Sequence, residues 1–185
     1  MGDDELKEFR EKMTKTLTAA QHDLNKIRTG RASLALFDGI RVEYYGTPTP
    51  LNQVATMAIP ESRLVTIKPW DPSIIGEIEK AILKSELGVT PVNDGKIIRI
   101  TIPRLTEERR KELVKVVRKK GEEGKIAIRN IRREANDWYK SLEKEKAISE
   151  DELHKSLEGI QELTSEFIEK IDEVLEQKEK EILEI

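Results

Sequence analysis

From Glu107 to Glu145 the chain carries two rows of side chains at helical spacing. One is apolar: Leu113, Val117, Gly124, Ile128, Ile131, Ala135, Trp138 and Leu142. The other, offset by one position, holds cations and an amide: Arg118, Lys125, Arg129, Arg132 and Asn136. Repeats of three and four residues place each row on one face of an α-helix. One face can pack while its neighbour presents positive charge. At 1.5 Å per residue this helix is roughly 55 Å long. Thr106 is placed to cap it, with Glu107 and Glu108 in the first turn, where the helix dipole favours anions. An earlier stripe (Leu6, Phe9, Met13, Leu17, Ala20, Leu24 and Ile27) predicts a first helix over about Asp4 to Arg28, stopped by Gly30. A later one (Leu153, Leu157, Ile160, Leu163, Phe167, Ile171 and Val174) predicts a third helix running to the C-terminus. It opens on Ser149-Glu150-Asp151-Glu152, a capping box, with Ile148 and Leu153 placed as a hydrophobic staple.

Between the first two helices the pattern changes. All seven prolines and five of the ten glycines lie in this middle segment. Ile40, Val42 and Tyr44 alternate with Arg41, Glu43 and Tyr45, which predicts a strand. Tyr45-Gly46-Thr47-Pro48 and Thr49-Pro50 read as turn material. Arg63 to Lys68 is a second strand candidate. Asp71-Pro72 opens a helix carrying Ile75, Ile78, Ile82 and Leu83, closed by Gly88. Asn93-Asp94-Gly95 marks a tight turn between Val89–Val92 and Ile97–Ile102.

The three long stripes bury each other most simply as a three-helix bundle, with the middle segment inserted as a small α/β domain. The fold class is therefore α+β. Residues 1–29 and 106–185 form the bundle, and residues 31–104 form the insertion. The chain crosses between them twice, at Thr29-Gly30-Arg31 and at Pro103-Arg104-Leu105-Thr106. Gly in one crossing and Pro in the other reads as a hinge, or equally as a fixed linker held by an interface.

Charge sharpens this picture. The net charge is −3, but it is unevenly spread. Residues 1–103 are neutral, residues 104–133 carry 12 cations against 5 anions, and residues 134–185 carry 7 against 17. Local clustering, more than the overall sum, sets the field at a surface. The acidic last third could also repel nucleic acid from the wrong face. Charged residues make up 37% of the chain and aromatics 4%, a balance that favours long solvated helices. There is no Cys, which points to a reducing cytoplasm and removes thiolate metal sites. No apolar run reaches the ~20 residues of a membrane span. The start, Met1-Gly2-Asp3-Asp4-Glu5, lacks a signal-peptide layout, and Leu6 argues against myristoylation.

Catalytic chemistry is not legible. His22 and His154 have no second ligand at metal spacing, and no phosphate loop or nucleophile elbow occurs. The cation row reads either as solvated i, i+4 pairs, which Glu122 and Glu123 would partly neutralise, or as a docking row for a polyanion. Arginine predominates at Arg129, Arg132 and Arg133, no acid lies between Lys125 and Arg133, and Arg28 and Arg31 add two guanidiniums after the first helix. These features favour the polyanion, because guanidinium matches phosphate bidentately. Gly121 and Gly124 each cost the helix roughly 1 kcal/mol relative to Ala. Close helix–helix approach explains Gly124; Gly121 fits that or close approach by a ligand.

Several runs together resemble the bacterial ribosome recycling factor family. They are Arg28–Ser33 (RTGRAS), Val42–Pro50 (VEYYGTPTP) followed by Leu51–Ala55 (LNQVA), Leu105–Leu113 (LTEERRKEL) and Ile128–Asp137 (IRNIRREAND). The resemblance implies an L-shaped, tRNA-like protein, a three-helix bundle with an inserted β/α/β domain on a flexible hinge. It implies a monomeric, cytoplasmic, non-enzymatic translation factor without cofactor or metal. Such a factor binds the post-termination ribosome at the tRNA sites, lies on large-subunit rRNA and splits the subunits with elongation factor G and GTP. By position Arg132 matches the principal rRNA-contacting arginine. Arg129, Arg133, Arg28 and Arg31 are further rRNA contacts, and Lys125 and Arg118 extend the row. Thr29, Gly30, Arg31, Pro103, Arg104, Leu105 and Thr106 match the hinge. Arg104 and Leu34 depart from the family pattern, which often has proline at both places. If about four arginines release counterions, log affinity falls against log salt with a slope of roughly −3 to −4. The rival reading is a helical adaptor that binds partner helices and is indifferent to RNA.

Overall fold

The computed structural model describes residues 2–184, with side chains from residue 4; Met1, Gly2 and Asp3 of the acidic N-terminal run thus fall outside the described side chains. The chain runs α1 (Gly2–Asn25), β1 (Arg41–Tyr44), β2 (Thr47–Pro50), β3 (Ala55–Glu61), β4 (Leu64–Pro69), α2 (Ile75–Lys84), β5 (Pro91–Asn93), β6 (Ile98–Thr101), α3 (Glu107–Lys144) and α4 (Glu150–Leu183). It divides into two compact units, Met1–Ile27 with Lys111–Ile185, and Arg28–Arg110. No helix among the described residues is long and apolar enough to cross a membrane.

In the first unit α1, α3 and α4 share one core. Phe9 and Met13 of α1 pack with Ile128, Ala135 and Tyr139 of α3 and with Ile160, Leu163, Phe167 and Ile171 of α4. The α3 row departs from the sequence expectation at one end. Tyr139, at 2% exposure, fills the core where Trp138 was expected, and Trp138 is 37% exposed. A four-residue step from Ala135 reaches Tyr139, and Trp138 is left at the margin, edge-on to Phe9 at 6.2 Å. Burial raises the Tyr139 phenol above its ordinary value, and nearby Glu5 adds to the shift. Gly121 is settled as a packing position. A Cβ there would lie 2.8 Å from Leu175 Cγ, while one at Gly124 would meet Ile171 Cδ1 at 3.4 Å and Ala20 Cβ at 3.6 Å. Helix α1 stops three residues before the expected end. The Ile27 amide donates to the Leu24 carbonyl at 3.1 Å, a tightened last turn.

The second unit holds two antiparallel sheets, a β1–β2 hairpin and a four-stranded sheet in the order β3-β4-β6-β5. Val65, Ile67, Ile98 and Ile100 face the core with Ile78 and Ile82 of α2. Leu83 is exposed instead, since the four-residue step from Ile78 selects Ile82. Asp71 caps the turn leading into α2 by accepting from the Ser73 amide at 3.0 Å. Thr47–Pro50, expected to be turn, is strand β2. Only Tyr45 (φ 49) and Gly46 (φ 78) turn the chain, and Tyr44 pairs with Thr47. In such a hairpin alternate pairs lack hydrogen bonds, and Pro48 and Pro50 fall on those positions, so no ladder bond is lost. The Leu51 amide continues the bonded series by donating to Ile40 at 3.1 Å. Strand β3 is not among the strands expected from sequence, and it contains Pro60. The sheet accommodates that proline at its edge, where pairing shifts between Ala58 and Glu61.

The α3–α4 corner is built locally. Lys146 N donates to Glu143 O at 2.9 Å and Ala147 N to Leu142 O at 2.8 Å, the paired bonds of a Schellman motif. Lys146 takes the left-handed position, φ 58. Ser149 and Glu152 complete the capping box on the next helix. A side chain at φ 58 is strained, so Lys146→Gly should stabilise the bundle by about 1 kcal/mol. Urea unfolding followed by Trp138 fluorescence in a Trp70→Phe background checks this; an unchanged or lower midpoint contradicts it. A second outcome concerns the α1–α4 clamp. Arg10 donates twice to Glu166 at 3.0 Å, and Lys170 donates to Glu166 at 2.6 Å. These bonds, Arg10 first, hold the Glu166 carboxyl down at about 2. The clamp therefore contributes above the ordinary carboxyl range near 4.5, and its contribution fades as pH falls toward 2. The melting-temperature gap between wild type and Arg10→Ala should be present at pH 6 and close toward pH 2. A gap that is constant with pH contradicts the clamp.

Candidate nucleic-acid interface

The cations of α3 differ in what they meet on α4, which runs antiparallel beside it. Arg118, Lys125 and Arg132 follow one another at seven-residue spacing and so share a face. Arg118 Nε donates to Glu179 at 2.7 Å and Nη2 to its other oxygen at 3.3 Å. This raises the Arg118 guanidinium above its ordinary value. Lys125, whose side chain is only 15% exposed, is paired with Asp172 and reaches Glu122 at 3.6 Å. At the third step α4 offers no acid to the guanidinium. Arg132 Nη1 meets Gln161 Oε1 at 3.4 Å, a long contact to a neutral amide.

The neighbouring arginines are held as loosely. Arg129 lies 3.9 Å from Glu122, and Arg133 Nη1 lies 3.4 Å from Asn130 Oδ1. Arg129, Arg132 and Arg133 thus form a cluster of weakly committed guanidiniums, while Arg118 and Lys125 serve as ties between helices. Asn136, one turn beyond Arg132, has a buried side-chain oxygen with no hydrogen-bond partner among the described residues. Gln161 is the residue that sequence reasoning missed. It stands on another helix, and only the α3–α4 register brings it to Arg132.

Arg28 and Arg31 belong to the other unit. Arg28 donates to the Leu87 carbonyl at 2.5 Å and to the Glu86 carbonyl at 2.8 Å, fastening the chain after α1 to the loop after α2. Arg31 is exposed. Within the same unit Gly30 has φ +78 and sits against Leu105, so that a Cβ there would lie 3.2 Å from Leu105 Cγ. Thr29 is buried, Pro103 and Arg104 are exposed, and Thr106 Oγ1 accepts from the Arg109 amide at 3.2 Å, capping α3. His22 and His154 are exposed, and His154 stands 3.6 Å from Glu158. No group of three or more metal-ligating side chains occurs among the described residues.

Comparison with known proteins gives consistent matches. A family model described as ribosome recycling factor matches residues 20–183. The ribosome-recycling factor of Desulfatibacillum aliphaticivorans is 60% identical over 177 residues, covering 96% of each chain. That of Syntrophobacter fumaroxidans is 60% identical over 185 residues, covering 100% of both. A solution structure of a ribosome recycling factor aligns with TM-score 0.79 and 41% identity over 100% of this chain and 98% of its own. A second structure aligns with TM-score 0.68 and 50% identity over 97% and 98%. It presents models for the T. thermophilus ribosome recycling factor and the E. coli elongation factor G bound to the E. coli post-termination complex.

The Gly30 geometry generates a test of its own. Gly30→Ala should destabilise the second unit by about 1–2 kcal/mol from the left-handed backbone alone. The Leu105 contact adds to this. In a Leu105→Ala background the cost of Gly30→Ala should shrink but not vanish. In a Trp138→Phe background, Trp70 fluorescence during urea unfolding reports on this unit; equal costs with and without Leu105→Ala would mean that Leu105 takes no part.

Proposed function

The chain belongs to the ribosome recycling factor family, and on that premise we propose that it is a translation factor acting on the post-termination ribosome. It binds at the tRNA sites with its bundle against large-subunit rRNA. With elongation factor G and GTP it splits the subunits for reuse. GTP is hydrolysed by the partner, so no catalytic residue is assigned to this chain. A ribosomal partner implies work in the cytoplasm.

The observation that carries the reading is the contrast along α3. Arg118 and Lys125 are tied to acids of α4, whereas Arg129, Arg132 and Arg133 make only long contacts, at 3.4–3.9 Å. Guanidiniums so placed can take phosphate oxygens bidentately without giving up a close ion pair. Recognition then rests on shape and backbone charge more than on base edges. The acids of α4 have their own part, as partners for structural cations. Arg28, engaged with two carbonyls, supports the protein's own loop first and rRNA second; Arg31 remains a candidate rRNA contact.

The second proposal is a hinge at Thr29-Gly30-Arg31 and Pro103-Arg104-Leu105-Thr106. It is supported by the division of the chain at Ile27 and Arg110, close to both segments, and by the left-handed Gly30. Motion there would let a push from elongation factor G be delivered while the bundle holds its site.

Co-sedimentation with vacant ribosomes across a salt series tests the docking face. With three arginines displacing counterions, the slope of log affinity on log salt should be roughly −2 to −3. Arg132→Ala should weaken binding about 10-fold or more and flatten the slope by nearly one unit. Arg118→Ala should lower thermal stability and leave the affinity nearly unchanged. Binding that ignores both salt and Arg132 would overturn the proposal.

A further inference from the structure

We propose that the open face of the four-stranded sheet in the second unit is a binding platform for single-stranded RNA, separate from the arginine cluster on α3. Strands β3, β4, β5 and β6 bury one face against α2. Register fixes what lies on the other. Thr66 stands between Ala58 on one side and Arg99 on the other, and Arg99 stands beside Val92. Along β4 the same face carries Lys68, and the alternation continues to Trp70 just past the strand end.

Trp70 is the unusual residue. The residue is 64% exposed, yet the ring is not loose. The indole Nε1 donates to Thr56 Oγ1 at 2.8 Å, and the Trp70 amide donates to the Val54 carbonyl at 3.1 Å. A large π-face is thus held toward water with its only polar handle already satisfied. Exposing an indole forgoes burial worth about 2 kcal/mol or more. An oriented, exposed aromatic ring on a sheet is the element on which an unpaired base stacks.

The charge of the face selects the same ligand. Lys68 and Arg99 occupy outward positions. Arg99 Nη1 is held by Asp94 at 2.6 Å, which fixes the guanidinium at the margin and leaves most of its donors unspent. Asp94 itself is occupied by Arg99 and by the Lys96 and Ile97 amides. The acid at an outward register position, Glu61, pairs with Leu64 at the opposite end of β4 from Trp70. Threonines 56, 66 and 101 add hydroxyls. A protein-docking patch would be expected to cluster apolar groups. Here the ring shares its sheet face with Thr56, Thr66, Lys68 and Arg99, beside the smaller apolar positions Ala58 and Val92, a mixture that suits a base and its phosphates.

The test uses full-length protein carrying Trp138→Phe, so that Trp70 is the sole tryptophan. It is titrated at low salt with a 12-nucleotide single-stranded oligouridylate. Saturable quenching of Trp70 is expected, and it should persist when Arg129→Ala and Arg132→Ala are added. Anisotropy of labelled oligonucleotide should show Trp70→Ala weakening binding roughly 5- to 100-fold, the range for loss of one base–aromatic stack. Trp70→Phe should restore most of it, and Lys68→Ala, which leaves the ring in place, should weaken binding and reduce its salt dependence. No quenching, equal quenching by duplex RNA of the same length, or an affinity indifferent to Trp70 and Lys68 would overturn the proposal. So would a Trp70 response to elongation factor G with none to the oligonucleotide, which would reassign the face to a protein partner.

Discussion

The space above Gly121 sets the register of the bundle. Leu175 of α4 occupies the volume that any side chain at position 121 would need, and Ile171 lies close over Gly124. The absence of a side chain at Gly121 lets Leu175 of α4 approach the α3 backbone directly, and interdigitation at that depth does not slide by a residue without overlap. Once those contacts are made, every other pairing between the two helices is determined. Arg118 falls opposite Glu179, Lys125 opposite Asp172, and Arg132 opposite Gln161. At Gly121 the helix accepts a loss of roughly 1 kcal/mol of propensity because the register is fixed in return, whereas a Cβ at Gly124 would make ordinary contact with Ile171 and Ala20.

That register explains why an acidic chain can present a cationic site. Residues 134–185 carry a net charge of −10, which read as a sum would argue against a polyanion ligand. The acids are distributed, and several are occupied. Glu166 takes Arg10 and Lys170, Glu179 takes Arg118, and Asp172 takes Lys125. Each such pair is a dipole at short range and contributes little field at a distance. The field over the α3 surface is left to the arginines that α4 does not neutralise.

The parts of this fold legible in the sequence were those decided within a few residues. The Ser149–Glu152 box, the Asp71 cap, the Thr106 cap and the Asn93-Asp94-Gly95 turn each depend on side chains bonding to nearby backbone, and local spacing is enough to see them. The helical stripes were equally visible, since burial on one face leaves its period in the chain. What was not legible depended on partners far away in sequence. Strand β3 was hidden because Pro60 argues against a strand unless that strand is known to lie at an edge. Strand β2 was hidden because two prolines look like a turn until the hairpin places them at non-bonded pairs. Choosing Tyr139 over Trp138 needed the place of Phe9 on α1, which meets both rings. The candidate site was legible as a row of cations but not as a division of labour, because Arg118 and Arg132 are indistinguishable until Glu179 and Gln161 are in place.

The division matters for binding because a structural ion pair and a ligand compete for the same charge. A guanidinium at 2.7 Å from a carboxylate must give up that partner, or share it, before a phosphate can take both of its faces. The exchange replaces one charge-assisted pair with another and strands a carboxylate beside an incoming polyanion, so the net gain is small. A guanidinium resting on a neutral amide at 3.4 Å loses little when it turns to a phosphate. It is also partly oriented by that amide, which reduces the entropy lost on docking. The contact with Gln161 is long enough to release and polar enough to aim. A carboxylate in that place would tie Arg132 to the bundle, and an aliphatic side chain would leave it without direction.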